Sequence, residues 1–208
     1  MTALVEWPWL FAVSVRPLAS PPEVESALVQ RAAGGDRRAF EEIYRRYVDL
    51  VHRRLSRLIG PDPDREDLVQ MIFLDVFHAL GAFRGDASFS TWLYRIIVNV
   101  AYDHLRRRRR AGVPLTVEHL EAMVALDLSP EAAAHQRREV ARILGFVERL
   151  KPNKRIAFVL RTVEGLSLDE IGAIVGAAPP AVGQRVKHAQ RELSAMLARD
   201  ELRRGGVQ

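Results

Sequence analysis

The sequence predicts an all-α chain of two small helical domains joined by a flexible linker. Three observations predict it. Apolar residues recur at three- and four-residue spacing through long stretches, and no segment alternates convincingly with period two. Glycine, proline and short capping residues divide those stretches at intervals suited to helices. Charge falls into blocks. Residues 23–110 hold 16 basic and 13 acidic side chains, and residues 136–208 hold 14 and 8. Residues 111–135 contain Glu118, Glu121, Asp127 and Glu131 with no Lys or Arg.

Composition narrows the function classes. A chain of 208 residues with 48% hydrophobic residues can bury real cores. A net charge of +5 and a pI near 10.0 favour a polyanionic partner. Arginine outnumbers lysine, which suits bidentate phosphate and base-edge contacts. There is no cysteine, so a thiol nucleophile, a disulfide framework and a Cys-based zinc site are excluded. The six histidines are dispersed. No HExxH, P-loop, G-x-G-x-x-G or G-x-S-x-G occurs. The reading is therefore a non-enzyme with no cofactor, no metal and no small-molecule substrate. No apolar run reaches the ~18 residues that would span a membrane. "WPWLFAVSV" (Trp7–Val15) is apolar but lacks a basic n-region and contains Pro8. Residues 1–22 are read as a disordered tail.

The elements follow in order. A short helix is expected over about 23–33, ending at Gly34-Gly35, with Asp36 as the next N-cap. Phe40, Ile43, Tyr44, Tyr47, Val51, Leu55 and Leu58 then form one apolar face. "GPDPD" (Gly60–Asp64) breaks the chain, and Asp64 is expected to cap the following helix. In that helix Leu68, Val69, Ile72, Phe73, Val76, Phe77 and Leu80 face inward. Asp67, Gln70, Met71, Leu74 and Asp75 face outward. A loop, "FRGDASFS" (Phe83–Ser90), precedes a helix from about Thr91 whose buried stripe is Trp92, Leu93, Ile96, Ile97, Val100 and Leu105. That helix ends in Arg106–Arg110, before Gly112 and Pro114.

After the acidic linker, "LSPEAAA" is expected to restart a helix. Val140, Ile143, Leu144, Val147 and Leu150 carry its apolar face. Pro152 interrupts, and Ile156, Ala157, Leu160 and Val163 mark another helix closed by Gly165. Ser167 and Glu170 form a capping box. Ile171, Ile174 and Val175 face inward before Gly176. Pro180 sits at the first position of the next helix, with Val182, Val186, Ala189 and Leu193 as its inner stripe. A short helix, a tight turn and a longer helix with polar residues outward is the helix-turn-helix pattern.

Three constellations point to nucleic acid. In a helix-turn-helix the second helix enters the major groove. Gln184, Arg185, Lys187 and His188 would then meet base edges, glutamine suiting adenine and arginine or lysine suiting guanine. The pattern also occurs as an ordinary αα-hairpin. The loop before the arginine run combines Arg84, Gly85, Asp86, two serines and Phe89 between Phe83 and Trp92. It reads either as a capped loop with tucked aromatics or as a place where unstacked bases meet aromatic and polar groups. Arg106–Arg110 are either a solvated helix end that complements the macrodipole or a row of phosphate contacts.

Taken together, "EDLVQMIFLDVF", "FRGDASFSTWLYRIIVNVAYDHLRRRRR" and "GLSLDEIGAIVG" with the helix after it resemble an extracytoplasmic function (ECF) sigma factor of the sigma-70 family, sigma-E type. The likeness runs in order over about residues 24–198. It implies region 2 at 23–110, a linker at 111–135, region 4 at 136–200 and a tail at 201–208. It also implies a bacterial cytoplasmic protein that binds core RNA polymerase and directs it to promoters. Asp67, Gln70, Met71, Leu74 and Asp75 would meet the clamp helices of the largest polymerase subunit, and region 4 the flap of the second largest. The family usually has an acidic residue where Met71 stands.

The −10 element would be read by Phe83, Arg84, Asp86, Ser88, Phe89, Ile96 and Asn99, around an extruded base whose flipping costs a few kcal/mol. Arg106, Arg107, Arg108, Arg109 and Arg110 would contact phosphates. The −35 element would be read by Gln184, Arg185, Lys187 and His188. Here the chain departs from the family's G-T-V-[KR]-S-R, having Pro180, Ala181, Val182, Gly183, Gln184 and Arg185. An inhibitory anti-sigma factor is a further implication. A stand-alone dimeric helix-turn-helix regulator is the alternative. It accounts for residues 166–195 but not for the loop or the helix around residues 66–80.

Overall fold

The computed structural model describes residues 22–60, 62–112 and 142–205, all helices and connecting turns. The expectations for residues 1–21, for the acidic linker and the "LSPEAAA" helix start, and for the last three residues lie outside the described residues.

Helix α1 (Pro22–Ala33) ends at the glycine pair. Helix α2 (Arg37–Ile59) starts at Asp36, whose Oδ1 accepts from the backbone N–H of Arg38 at 3.0 Å and of Ala39 at 3.2 Å. Two otherwise unpaired donors of the first turn are thereby satisfied. Gly60 closes α2 with φ +72°. Helix α3 (Arg65–Ala79) runs into a 3₁₀ turn at Leu80–Ala82. Helix α4 (Phe89–Ala111) follows, capped by Ser88 Oγ, which accepts from the Thr91 N–H at 3.2 Å. Helix α5 occupies 142–149. Helices α6 (Pro152–Thr162), α7 (Leu168–Val175) and α8 (Pro179–Gly205) complete the chain.

Four expectations are corrected. The Asp64 side chain makes no capping bond; instead Asp62 Oδ1 accepts from the Asp64 N–H at 3.0 Å, so the kink is stabilised one step earlier. Helix α4 begins two residues before Thr91, because Ser88 supplies the cap, and α8 begins at Pro179. Phe77, expected inside, is 57% exposed. Leu68, Val69, Ile72, Phe73 and Val76 are buried on this helix, and at about 100° per residue they fill an arc of roughly 140°; Phe77 lies roughly 40° beyond Phe73, past the edge of that arc.

α1 to α4 pack around Ile43, Leu55, Leu58, Ile72, Leu93 and Ile97, all buried. α6, α7 and α8 pack around Leu160, Ile171, Val182 and Leu193. The two groups of helices are in contact. α6 lies against α2 and α4, and α7 lies against α4. One continuous buried apolar cluster runs through both.

Candidate nucleic-acid and polymerase interface

The loop between the 3₁₀ turn and α4 is anchored by its aromatic residues. Phe83, Phe89 and Trp92 form a triangle of rings with centroids 5.2, 5.6 and 6.0 Å apart. Phe89 also meets Tyr47 edge-on at 5.1 Å. Such tilted and edge-to-face pairs are favourable arrangements for aromatic quadrupoles. Phe89 is buried, whereas Phe83 and Trp92 are half-buried. Arg84 and Asp86 are exposed at the loop tip, where Gly85 takes φ +77°. Ser88 Oγ is committed to the cap and lies within hydrogen-bond distance of Ser90 Oγ at 3.1 Å and Thr91 Oγ1 at 2.8 Å.

The outward face of α4 is polar. Asn99, Asp103, Arg106, Arg107 and Arg110 recur at three- and four-residue spacing and so share one face. With Met71 and Asp75 of α3 and the edge of Val100, they line a groove of about 350 Å³. Asn99 is therefore grouped with the arginines. Ile96 is half-buried against the core, and the ring partners of Phe83 lie in the aromatic triangle.

The arginine run is not uniform. Arg106, Arg107, Arg109 and Arg110 are exposed. Arg108 turns inward and pairs with Asp62, its side chain 16% exposed. Asp62 Oδ2 also meets His104 Nε2 at 2.7 Å. Burial pushes the Asp62 carboxyl up, but hydrogen bonds from His104, from the Asp64 N–H and from Arg108 outweigh it and hold the group below the usual carboxylate range. Ligand-type atoms of Asp62, Asp64 and His104 lie within 4.8 Å of one another. The Arg108 guanidinium on the same carboxylate already neutralises it and would repel a cation.

On α3, Asp67, Gln70, Met71, Leu74 and Asp75 are all exposed. Leu74 is 57% exposed and Met71 40%. Sequence reasoning missed two neighbours, Phe77 and Tyr44, which extend this apolar surface. Phe77 stacks edge-on with Phe40 at 5.1 Å, and Tyr44 tilts over Phe73 at 4.6 Å. The signal for Phe77 was available in its helical angle, roughly 40° beyond Phe73 at the edge of the buried arc.

The helix-turn-helix is set by capping and by close approach. Ser167 Oγ accepts from the Glu170 N–H at 3.2 Å and Glu170 Oε2 accepts from the Ser167 N–H at 2.7 Å. Gly176 ends α7 with φ +64°. Gly172, not singled out in the sequence, lies so close to the turn that a Cβ there would stand 2.6 Å from the Ala177 carbonyl oxygen. Val182, Val186, Ala189 and Leu193 are buried, and Gln184, Lys187 and His188 are exposed. Arg185 is half-buried. A Cβ at Gly183 would sit 3.4 Å from Leu168 Cδ1, the end of a flexible side chain and near ordinary van der Waals contact, so packing does not require glycine there. Among the described residues, no helix is long and apolar enough to cross a membrane.

These features agree with comparisons to known proteins. A family model of sigma-70 region 2 matches residues 43–111, and one of sigma-70 region 4 matches residues 138–193. The chain is 35% identical over 178 residues to the ECF RNA polymerase sigma-E factor of Escherichia coli (strain K12), covering 81% of this chain and 92% of that one. It is 35% identical over 170 residues to the ECF RNA polymerase sigma factor SigE of Mycolicibacterium smegmatis, covering 80% of this chain and 66% of that one. Among solved structures it is similar to CnrH in complex with the cytosolic domain of CnrY, with TM-score 0.56, 29% identity and coverage of 85% and 99% of the two chains. Both regions occur, in order, over most of the chain, which a stand-alone helix-turn-helix regulator would not require. The chain belongs to the ECF group of the sigma-70 family and is an RNA polymerase sigma factor that acts in transcription initiation.

Proposed function

We propose that the outward face of α4 is the −10 reading surface and that its arginines are the positioning element. The observation that carries this reading is the shared groove of Asn99, Asp103, Arg106, Arg107 and Arg110. An amide with both donor and acceptor capacity lies beside cations there. That combination fits an extruded base attached to a phosphate backbone. Phe83 and Ile96, half-buried, supply apolar edges, while Arg84 and Asp86 offer polar groups at the loop tip. Phe89 and Ser88 hold the loop in place through packing and capping. Phosphate contacts give affinity without sequence preference.

The α8 residues Gln184, Arg185, Lys187 and His188 read the −35 element from the major groove. The exposed α3 face of Asp67, Gln70, Met71, Leu74 and Asp75 binds the clamp helices of the largest polymerase subunit, and region 4 binds the flap of the second largest. The chain works as a cytoplasmic, non-enzymatic polymerase subunit, with region 2 over 23–110, a linker over 111–135 and region 4 over 136–200. CnrH was solved with the cytosolic domain of CnrY, which supports an inhibitory protein partner, the anti-sigma factor, for this chain as well.

Run-off transcription with purified core polymerase tests the assignment. Asn99→Ala is expected to flatten the preference among −10 variants while core binding stays intact. An equal loss on every promoter would show that the groove does not read bases.

A further inference from the structure

The groove of Asn99, Asp103, Arg106, Arg107 and Arg110 holds two side chains that phosphate contact does not account for. Asp103 follows Asn99 by four residues, so the two are neighbours on one face of α4. Asp75 lines the same groove from α3. Both aspartates are exposed. Among the described residues, neither carboxylate makes an ion pair or a side-chain hydrogen bond, although Arg106, Arg107 and Arg110 line the groove with them. Asp103 and Arg107 even have the four-residue spacing at which helix ion pairs form, and they do not form one. Met71 and Val100 supply the apolar part of the lining. The volume of about 350 Å³ lies at the small end of ligand clefts and suits a single base.

The chemistry of DNA limits what such carboxylates can meet. A carboxylate is an acceptor only, and a guanidinium is a donor only. The deoxyribose-phosphate backbone offers acceptors and no donors, so it satisfies the three arginines and repels the two aspartates. Donors on DNA are confined to base edges. Adenine, cytosine and guanine each carry an exocyclic amine. Thymine carries none, and its single ring N–H lies between two carbonyl oxygens that a carboxylate would also meet. Asn99 offers a donor and an acceptor, so it tolerates any base edge. Asp103 does not. An acceptor set against an acceptor in a confined site leaves both unpaired, which costs more than a missing contact.

We propose, resting on the −10 role assigned to this groove, that Asp103 is a specificity-determining residue: it accepts a hydrogen bond from the exocyclic amine of the base held beside Asn99 and excludes thymine from that place. Asp75 adds to the acceptor character that disfavours a carbonyl edge. The arginines hold the phosphates on either side, and Met71 and Val100 meet the face of the base.

The test uses holoenzyme reconstituted from the full chain and core polymerase. It binds forked DNA whose non-template −10 strand is single-stranded, and affinity is read by fluorescence anisotropy. Each −10 position in turn carries thymine or one member of three pairs that differ only in the exocyclic amine: adenine and purine, cytosine and 2-pyrimidinone, guanine and hypoxanthine. At one position the parent is expected to lose roughly tenfold in affinity when the amine is removed, and to bind thymine no better than the stripped base. With Asp103→Ala the amine should matter by less than about twofold, while affinity for every sequence rises because a charge that repels phosphate is gone. With Asp103→Asn, whose amide can turn its N–H toward a carbonyl, thymine should bind within about twofold of the amino-bearing base. The three pairs identify which base is held. No amine effect in the parent at any position, or an amine effect of equal size in Asp103→Ala, would overturn the proposal. Asn99→Ala in the same assay separates the two levels. A flattened −10 preference there, with an amine effect that survives Asp103→Ala, removes the role of Asp103 alone. Unchanged preference in both variants removes the groove as a reading surface.

Discussion

Gly60, at the end of α2, is enclosed by Glu148 and Arg155: a Cβ there would stand 3.1 Å from Glu148 Oε1 and 3.2 Å from Arg155 Nη2. Gly60 also has φ +72°, a conformation that side-chain-bearing residues avoid. Gly60→Ala should therefore cost about 1–3 kcal/mol through backbone strain and crowding. Thermal unfolding followed by circular dichroism should show Tm lower by about 2–4 °C for each kcal/mol. An unchanged Tm would mean that the two side chains move aside freely and that the backbone relaxes.

The same contact sets a pH dependence. Burial pushes the Glu148 carboxyl up to about 7, against the opposing pull of Arg155 and Arg108, with Asp62 adding to the rise. The folded state thus holds this proton more tightly than the unfolded chain does. Its favourable contribution is complete below about 4.5 and is lost as pH rises through about 7. Asp62 acts in the opposite sense, but only below the ordinary carboxylate range. Stability should therefore rise on acidification from pH 8 to pH 6. Because His104 and Asp62 face the same cluster, the informative quantity is the difference between the parent and Glu148→Gln in urea titrations. The variant should show a flatter profile across that window. Parallel profiles would contradict the assignment.

Which of these relationships can be read from a sequence depends on how local they are. The apolar stripe of α2, the cap at Asp36 and the capping box of Ser167 and Glu170 involve residues three or four apart, so periodicity exposes them. The grouping of Asn99 with Arg106, Arg107 and Arg110 follows from helical spacing too, once the face is drawn. Arg155 to Leu58 and Arg57 to Glu164 join residues 97 and 107 positions apart, and no local pattern marks them. Arg108 looks identical to its neighbours in sequence; only the fold of the Gly60–Asp64 turn brings Asp62 beneath it. Phe77 is misread from sequence because an exposed apolar residue has the same hydrophobicity as a core residue.

Gly172 offers a local test of the helix-turn-helix. Glycine inside a helix is normally worse than alanine by about 1 kcal/mol, so Gly172→Ala on an open helix would stabilise. Here the added methyl would meet the Ala177 carbonyl oxygen at 2.6 Å, a backbone atom that cannot rotate away. The substitution should instead cost about 1–3 kcal/mol, typical of overpacking. It should also displace α8 relative to α7 and weaken binding to a −35 duplex, measured by fluorescence anisotropy. Core-polymerase binding through α3 should be unaffected. Improved stability with unchanged −35 binding would contradict the close packing of this turn.

The arginine run separates into two behaviours that mutation can distinguish. Arg107 and Arg110 are exposed on the groove face. If each neutralises one phosphate, Arg107→Ala and Arg110→Ala should each flatten the slope of log affinity against log salt by about 0.9, with −10 preference unchanged. Arg108→Ala should behave differently. Removing its guanidinium leaves Asp62, whose side chain is fully covered, with only His104 and a backbone N–H. Loss of one member of a buried charge pair is strongly destabilising. Arg108→Ala should therefore lower Tm more than either exposed substitution, and Asp62→Asn combined with it should restore part of the loss. A double variant no more stable than Arg108→Ala alone would show that Arg108 does not serve Asp62. An Arg107→Ala chain with a changed −10 preference would move that residue from positioning to base reading.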